Sequence, residues 1–367
     1  MTNINRTSIP SDPILSMRSF LVSITVVIAM IVSTTAIAGE IEKGIIDNIL
    51  ANEMRYSYIE AIVSHEYKIG DPELYPNGSI KERIETLETI IDRDRFYFKQ
   101  EGSFVFYNVA LPPDKNPKKA YLVENQRKIR SARAFDGSTT RLIDDNGIVN
   151  IIRGRAEDIG FFRPHIVVFA GNSLFVPLST FLSGPPGLKS HPLAGVYTAL
   201  NIDCDYIGRE KYKNNECVVL RVYEKMERDS NIENCDRKKI WIAIDKNYIP
   251  CKVEFWSPFF THKSDHPLYV GEVDEFEEVE KDLWIPKKWT CTTYDNISLQ
   301  KGGTKLSGVS KYVVKKFSLN PRLSRDIVSP KIPVNSQVYE IVDGKIVSVR
   351  FVAFLGLIEH SLDANHP

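Results

Sequence analysis

The sequence predicts an α+β fold built on one large, strongly curved antiparallel β-sheet that encloses helices or is covered by them. Three observations predict it. The stretch Asp203–Asp295 reads as consecutive hairpins: Asp203–Gly208 with Cys217–Glu224, Lys239–Asp245 with Ile249–Trp256, and Tyr269–Val279 with Leu283–Asp295. Each unit joins two runs rich in Val, Ile, Phe, Tyr and Trp through a short polar turn, and no helical pattern intervenes. Within these strands apolar residues alternate: Val218, Leu220 and Val222 opposite Arg221; Ile240, Ile242 and Ile244; Val253 and Phe255 opposite Glu254. Period-2 alternation gives each strand one buried face. Finally, Ala156–Leu182 is strongly apolar, carries Phe162 and Phe169, and is interrupted by Pro164 and Pro177. It reads as short helical pieces, a natural cover for one face of the sheet.

The chain begins with a targeting pattern. Arg18 precedes the apolar run Phe20–Val32, and Ala36 and Ala38 form a small-x-small cleavage site before Gly39. The run is shorter than the roughly 20 residues of a spanning helix. Export with cleavage after residue 38 is therefore expected, with retention of the segment as an uncleaved anchor the alternative, placing the mature protein in the periplasm or outside the cell. Glu40–Val63 repeats Ile41, Ile45, Ile49 and Met54 at helical spacing and predicts an amphipathic helix, followed by a strand at His65–Gly70. Ile80–Asp94 fits helix or strand. Arg95–Lys99 and Ser103–Ala110 read as strands around a Glu101-Gly102 turn, and Ala120–Glu124 and Lys128–Phe135 as two more.

Asp136-Gly137 turns into Thr139–Ile143, and Asp144–Gly147 turns into Ile148–Arg153. Beyond the central hairpins come a strand at Lys305–Phe317, a final hairpin at Ser336–Val349 with the turn Asp343-Gly344, and an apolar tail at Phe351–Ile358. The expected organisation is a signal peptide at 1–38, a sheet domain at 39–335 and a C-terminal hairpin and tail at 336–367.

Composition narrows the function. Hydrophobic residues make up 43% and charged residues 26%, enough for a sizeable core. The 47 basic and 47 acidic residues balance, which argues against nucleic acid as a partner. The five cysteines (Cys204, Cys217, Cys235, Cys251 and Cys291) all lie in the hairpin region. Export permits disulfides, while burial as small apolar side chains is the other reading.

No catalytic constellation stands out. The sequence holds no GxSxG elbow, no phosphate-binding loop and no dinucleotide fingerprint. His262 and His266 have helical metal spacing, yet Pro258 and Pro267 place them in a loop, so no metal or other cofactor is expected. His165, beside Pro164, reads as a packed or capping residue. The tryptophans Trp241, Trp256, Trp284 and Trp289 read mainly as core.

The order of elements resembles the outer-membrane lipoprotein-carrier (LolA/LolB-like) superfamily, most nearly its secreted members outside the characterised carriers. The resemblance is carried by the exported N-terminus, the amphipathic first helix, Phe135-Asp136-Gly137 with Thr139–Ile143, and the apolar segment before Ser183-Gly184-Pro185. Tyr206–Glu210 leading to Cys217–Leu220, Ile240–Asp245 leading to Ile249–Glu254, and Leu283–Trp289 add to it.

It covers roughly residues 40–330 and implies an incomplete β-barrel. The function expected is non-enzymatic: binding a lipid, acyl chain or lipoprotein anchor in the concave face, with a peripheral contact to the envelope. The candidate lining is Val218, Leu220, Val222, Ile240, Ile242, Val253, Phe255, Phe162 and Phe169, with residues 161–182 as a lid. On this reading Leu220→Asp or Phe255→Asp abolishes binding in a folded protein. The alternative is a non-catalytic envelope module that docks a protein partner.

Overall fold

The computed structural model describes residues 43–70, 80–93, 95–110, 121–154, 162–169, 176–184, 200–226, 235–261, 265–321, 332–342, 345–353 and 356–358. The signal segment and His262 lie outside them. Contacts divide the chain into Met1–Ile45, of which only the helical residues 43–45 are described, and Ile46–Pro367, which carries everything below.

This second unit is one large, open, curved sheet of 16 strands in the order β16-β15-β14-β6-β5-β4-β3-β2-β1-β13-β12-β11-β10-β9-β8-β7. Strands β1 (Tyr58–Ile69), β2 (Ile80–Asp92), β3 (Arg95–Ala110), β4 (Tyr121–Phe135), β5 (Thr139–Ile143) and β6 (Ile148–Arg153) form a meander. So do β7 (Leu200–Tyr212), β8 (Asn215–Met226), β9 (Asp236–Ala243), β10 (Ile249–Trp256), β11 (Tyr269–Glu280), β12 (Leu283–Tyr294) and β13 (Leu306–Leu319). Pairing of β1 with β13 joins the two meanders. Strands β14 (Ser336–Val342), β15 (Lys345–Ala353) and β16 (Gly356–Ile358) complete the sheet, and β14 runs parallel to β6 in an otherwise antiparallel array.

The central hairpins, the two turns after Phe135 and the strand placement of all four tryptophans match the expectation. Helices are fewer than expected. Among the described residues they are 43–53, Leu178–Leu182, Pro258–Thr261 and Asn296–Gln300, with 3-10 turns at Met54–Tyr56 and Val167–Phe169. The α in α+β is thus a small part.

Three local expectations are corrected. The helix expected over Glu40–Val63 ends at residue 53, and Tyr58–Val63 is strand. Ile59, Ala61, Val63 and His65 alternate into the buried face, so period 2 wins over the helical period once the strand has neighbours on both sides.

No turn forms at Glu101-Gly102, because β3 runs straight through it. Gly102 lies opposite Glu85, where a Cβ would sit 2.5 Å from the Glu85 Cβ and 2.2 Å from the Ile84 carbonyl oxygen. The glycine serves close approach between strands. Likewise the two strands expected in 120–135 are one, paired with β3 along its whole length. The ambiguous segment Ile80–Asp94 is strand β2, turning at Arg93, whose φ is 53°.

Four of the five cysteines, Cys217, Cys235, Cys251 and Cys291, are buried, as the packing reading expects. The Sγ atoms of Cys217 and Cys251 lie 3.4 Å apart, at S–H···S hydrogen-bond distance and not as a disulfide.

Candidate functional site

Register places the predicted apolar residues together. Val222 pairs with Lys238 and Lys238 with Phe255; Leu220 pairs with Ile240 and Ile240 with Val253; Val218 pairs with Ile242. Directly paired residues of antiparallel strands project to the same side, so these side chains share one face. The row continues laterally from Val253 through Gly271, Cys291, Ser310, Tyr67 and Arg83 to Phe104. It is apolar on β8–β10 and turns polar from β13 onwards.

This face is covered. All nine residues predicted as lining are at most 8% exposed, and seven of them belong to the packed rows above. Phe162 packs on Trp289 and Phe317, with ring centroids 5.8 and 6.2 Å apart. The turn Val167–Phe169 lies against β10, β11 and β12, and the Tyr269 hydroxyl donates a 2.7 Å hydrogen bond to the Val168 carbonyl. Gly271 makes this approach possible: a Cβ there would lie 1.9 Å from the Val168 carbonyl oxygen. Residues 162–169 and 176–184 therefore act as a plug seated on the sheet.

One cation shares the covered face. Lys238 pairs with Glu224, and its ammonium stands 5.7 Å from the Phe181 ring centroid and 4.8 Å from that of Phe255. Burial pushes its pKa down to about 7.

Open space lies beside the plug. A cleft of about 660 Å³ is lined by Leu50, Met54, Tyr56 and Tyr58 from the first helix and β1, by Ile91 and Arg93 from the β2 end, and by Arg163–Ile166, Pro177, Ser179 and Thr180 from the plug. Leu50 and Met54 are 49% and 65% exposed, so apolar side chains face solvent at its rim. The floor is polar and closed. Glu53 accepts hydrogen bonds from the Leu178 N–H at 2.7 Å and from the Ser179 N–H and hydroxyl. Burial outweighs these bonds and raises the Glu53 pKa.

His165 is buried. Its Nε2–H donates to the Asn247 carbonyl at 2.9 Å, and burial lowers its pKa to about 4, so it is the packed residue expected from the sequence. The Tyr56 ring meets it edge-on at 5.5 Å.

The cleft and the predicted lining do not coincide: none of the nine residues borders it. Leu220 is fully buried, so Leu220→Asp would strand a carboxylate in the core and cost the fold, and it cannot report on binding alone. Sequence reading missed Glu53, Arg93 and the rim residues, because their partners lie far along the chain. Of the metal-spaced pair, His266 points its Nδ1 at the Pro267 carbonyl, 2.9 Å away, and packs edge-on against Tyr294. Among the described residues, no group of three His, Cys, Asp or Glu side chains is placed to hold a metal.

No family model matches the chain, and no curated protein matches it. Several solved structures are similar to it. A domain described as an outer membrane lipoprotein-sorting protein, from Vibrio parahaemolyticus, is 12% identical, with 77% of this chain and 96% of that one covered and a TM-score of 0.39. A DUF1329 family protein from Desulfovibrio piger is 9% identical, with 78% and 96% covered and a TM-score of 0.39. The Mycobacterium tuberculosis lipoprotein LppX is 8% identical, with 77% and 98% covered and a TM-score of 0.21. Likeness at these scores carries no functional argument, so function is argued from the chain's own geometry.

Proposed function

We propose that this is an exported envelope protein that binds a hydrophobic ligand: a lipid, an acyl chain or a lipoprotein anchor. The carrying observation is the cleft of about 660 Å³ whose rim exposes Leu50 and Met54 beside the plug. Ligand pockets fall in the range of about 300–1,000 Å³ and are mostly apolar. An acyl chain entering here would cover the exposed rim and lie along Tyr58, Ile91 and Ile166. Each buried methylene contributes about 0.8 kcal/mol, so eight of them give about 6 kcal/mol before the cost of immobilising the chain. The packed face of Leu220, Ile240 and Val253 is the floor on which the plug rests, and displacing the plug would extend the site onto it.

The test is native mass spectrometry of protein purified from an envelope fraction, with organic extraction of whatever is bound. A discrete additional mass that extracts as lipid is expected. Leu50→Glu with Met54→Lys should cut the retained lipid by more than half and leave the unfolding midpoint unchanged, since both side chains are exposed. A protein recovered without lipid, or lipid retention indifferent to the rim, would overturn the reading and direct attention to protein partners.

A further inference from the structure

The sheet face that is apolar on β8–β10 carries a polar row on the other side of its midline. On β1, His65 is buried, and it pairs with Glu85 of β2 and Tyr312 of β13. The Nδ1 of His65 is 2.6 Å from the Glu85 carboxylate, and its Nε2 is 3.1 Å from the Ser310 hydroxyl. Glu85 also accepts a 2.6 Å hydrogen bond from the Gln100 amide, and Gln100 in turn accepts one of 3.2 Å from the Ser131 hydroxyl. Tyr312 stacks on the His65 ring at 4.2 Å and 3°, and Trp289 stacks on Tyr312 at 4.8 Å and 5°. The imidazole is thus fixed in plane by the rings and in rotation by the carboxylate.

We propose that Ser310, His65 and Glu85 form a serine-nucleophile site that hydrolyses small acyl esters. The geometry meets the requirements for such a site: nucleophile bonded to base, base bonded to an orienting acid, and space beside the nucleophile. Burial of Glu85 is outweighed by its hydrogen bonds from His65 and Gln100 and by the nearby charge of Arg83, so the carboxyl lies below its usual range and stays ionised. An ionised Glu85 takes the Nδ1–H of His65 and leaves the Nε2 lone pair facing the Ser310 hydroxyl.

The space is a second cleft of about 390 Å³, separate from the one beside the plug, lined by His65, Tyr67, Ile69, Ile80, Arg83, Ser307 and Ser310. Tyr67, Ile69 and Ile80 supply an apolar wall for a short acyl group. Arg83 supplies the positive charge, and its Nε–H is buried without a hydrogen-bond partner in the structure. A row that served only to hold strands together would need neither a cleft at its serine nor a guanidinium beside it.

The reaction balances with water as the only co-reactant. Ser310 Oγ attacks the ester carbonyl carbon and its proton passes to His65 Nε2. The carbonyl oxygen becomes an oxyanion facing Arg83. The bond to the leaving alkoxide breaks, and the alkoxide takes the proton from His65 and departs as alcohol. Water then attacks the acyl-Ser310 carbonyl, giving its proton to His65. The bond to Ser310 Oγ breaks, the serine recovers that proton, and the carboxylic acid leaves.

The experiment is fluorophosphonate labelling of the full chain, read by intact mass and peptide mapping, alongside release of p-nitrophenol from p-nitrophenyl butyrate. One phosphonyl group per chain is expected on Ser310, with fluoride displaced. Ser310→Ala should abolish the adduct, and His65→Gln should slow both labelling and ester turnover by about 100-fold or more. Circular dichroism monitors folding of the variants, and the adduct on the unsubstituted protein is a readout that needs no variant. Absence of an adduct at Ser310, or ester turnover unchanged in folded Ser310→Ala, would overturn the proposal.

Discussion

Glu53, at the end of the first helix, accepts the backbone N–H of Leu178 at 2.7 Å although 125 residues separate them. This bond, with those from Ser179, caps the short helix Leu178–Leu182 and fixes the plug at the edge of the open cleft. The residue preceding that helix, Pro177, supplies no side-chain cap, so the distant carboxylate takes that role.

Glu53→Ala should therefore loosen the plug before it loosens the sheet. Loss of a buried acceptor for two backbone N–H groups costs about 1–3 kcal/mol. Hydrogen exchange should rise first at the amides of Leu178–Leu182, with β8–β10 still protected. The folded pKa of Glu53 is raised above its usual value of 4.5, so its contribution is full below that value and is lost as pH rises through the folded pKa. The stability difference between Glu53→Ala and the natural protein should shrink over that interval in urea titrations.

His165 gives a slope of opposite sign. Burial holds it neutral down to about pH 4, whereas the unfolded chain takes up the proton near 6.5. The unfolded state thus binds more protons between those values. Stability should be full above pH 6.5 and fall as the solution is acidified towards pH 4, by up to about 3 kcal/mol. Urea unfolding at pH 7.5 and pH 5 should show the loss, and His165→Gln should flatten it.

Gly271→Ala tests how the plug is seated. The new methyl would meet the Val168 carbonyl oxygen, which belongs to backbone and cannot rotate away. Overpacking of this kind costs about 1–3 kcal/mol. The expected result is a lower thermal midpoint together with faster proteolysis within residues 162–169. An unchanged midpoint would mean that the plug does not rest on β11.

Strand positions were legible wherever a local pattern was complete. The hairpin of β9 and β10 carries its own turn at Lys246–Tyr248, with Asn247 and Tyr248 at φ 56° and 55°, and its own alternation. Both signals lie within a few residues, and the expected boundaries at Ile249–Trp256 match the structure. The same logic failed at Gly102, where a local turn signal was a packing requirement set by Glu85 on the neighbouring strand. It failed again at Tyr58–Val63, where residues fit both periods and the neighbours β2 and β13 decided the outcome.

The sites were less legible than the strands. Alternation correctly grouped Leu220, Ile240 and Val253 on one face, because face is a property of each strand alone. Whether that face is open or covered depends on where Phe162–Phe169 lands, and that depends on a contact with Gly271 about 100 residues away. The His65, Glu85 and Ser310 cluster is further from view still, since its members stand on three strands and meet only through register. By itself, then, the sequence determined the hairpins, their turns and their apolar faces, since short-range backbone and side-chain preferences encode them. Tertiary structure alone decided strand order, the seating of the plug and the two clefts, since pairing of distant strands is settled by the free energy of the assembled sheet.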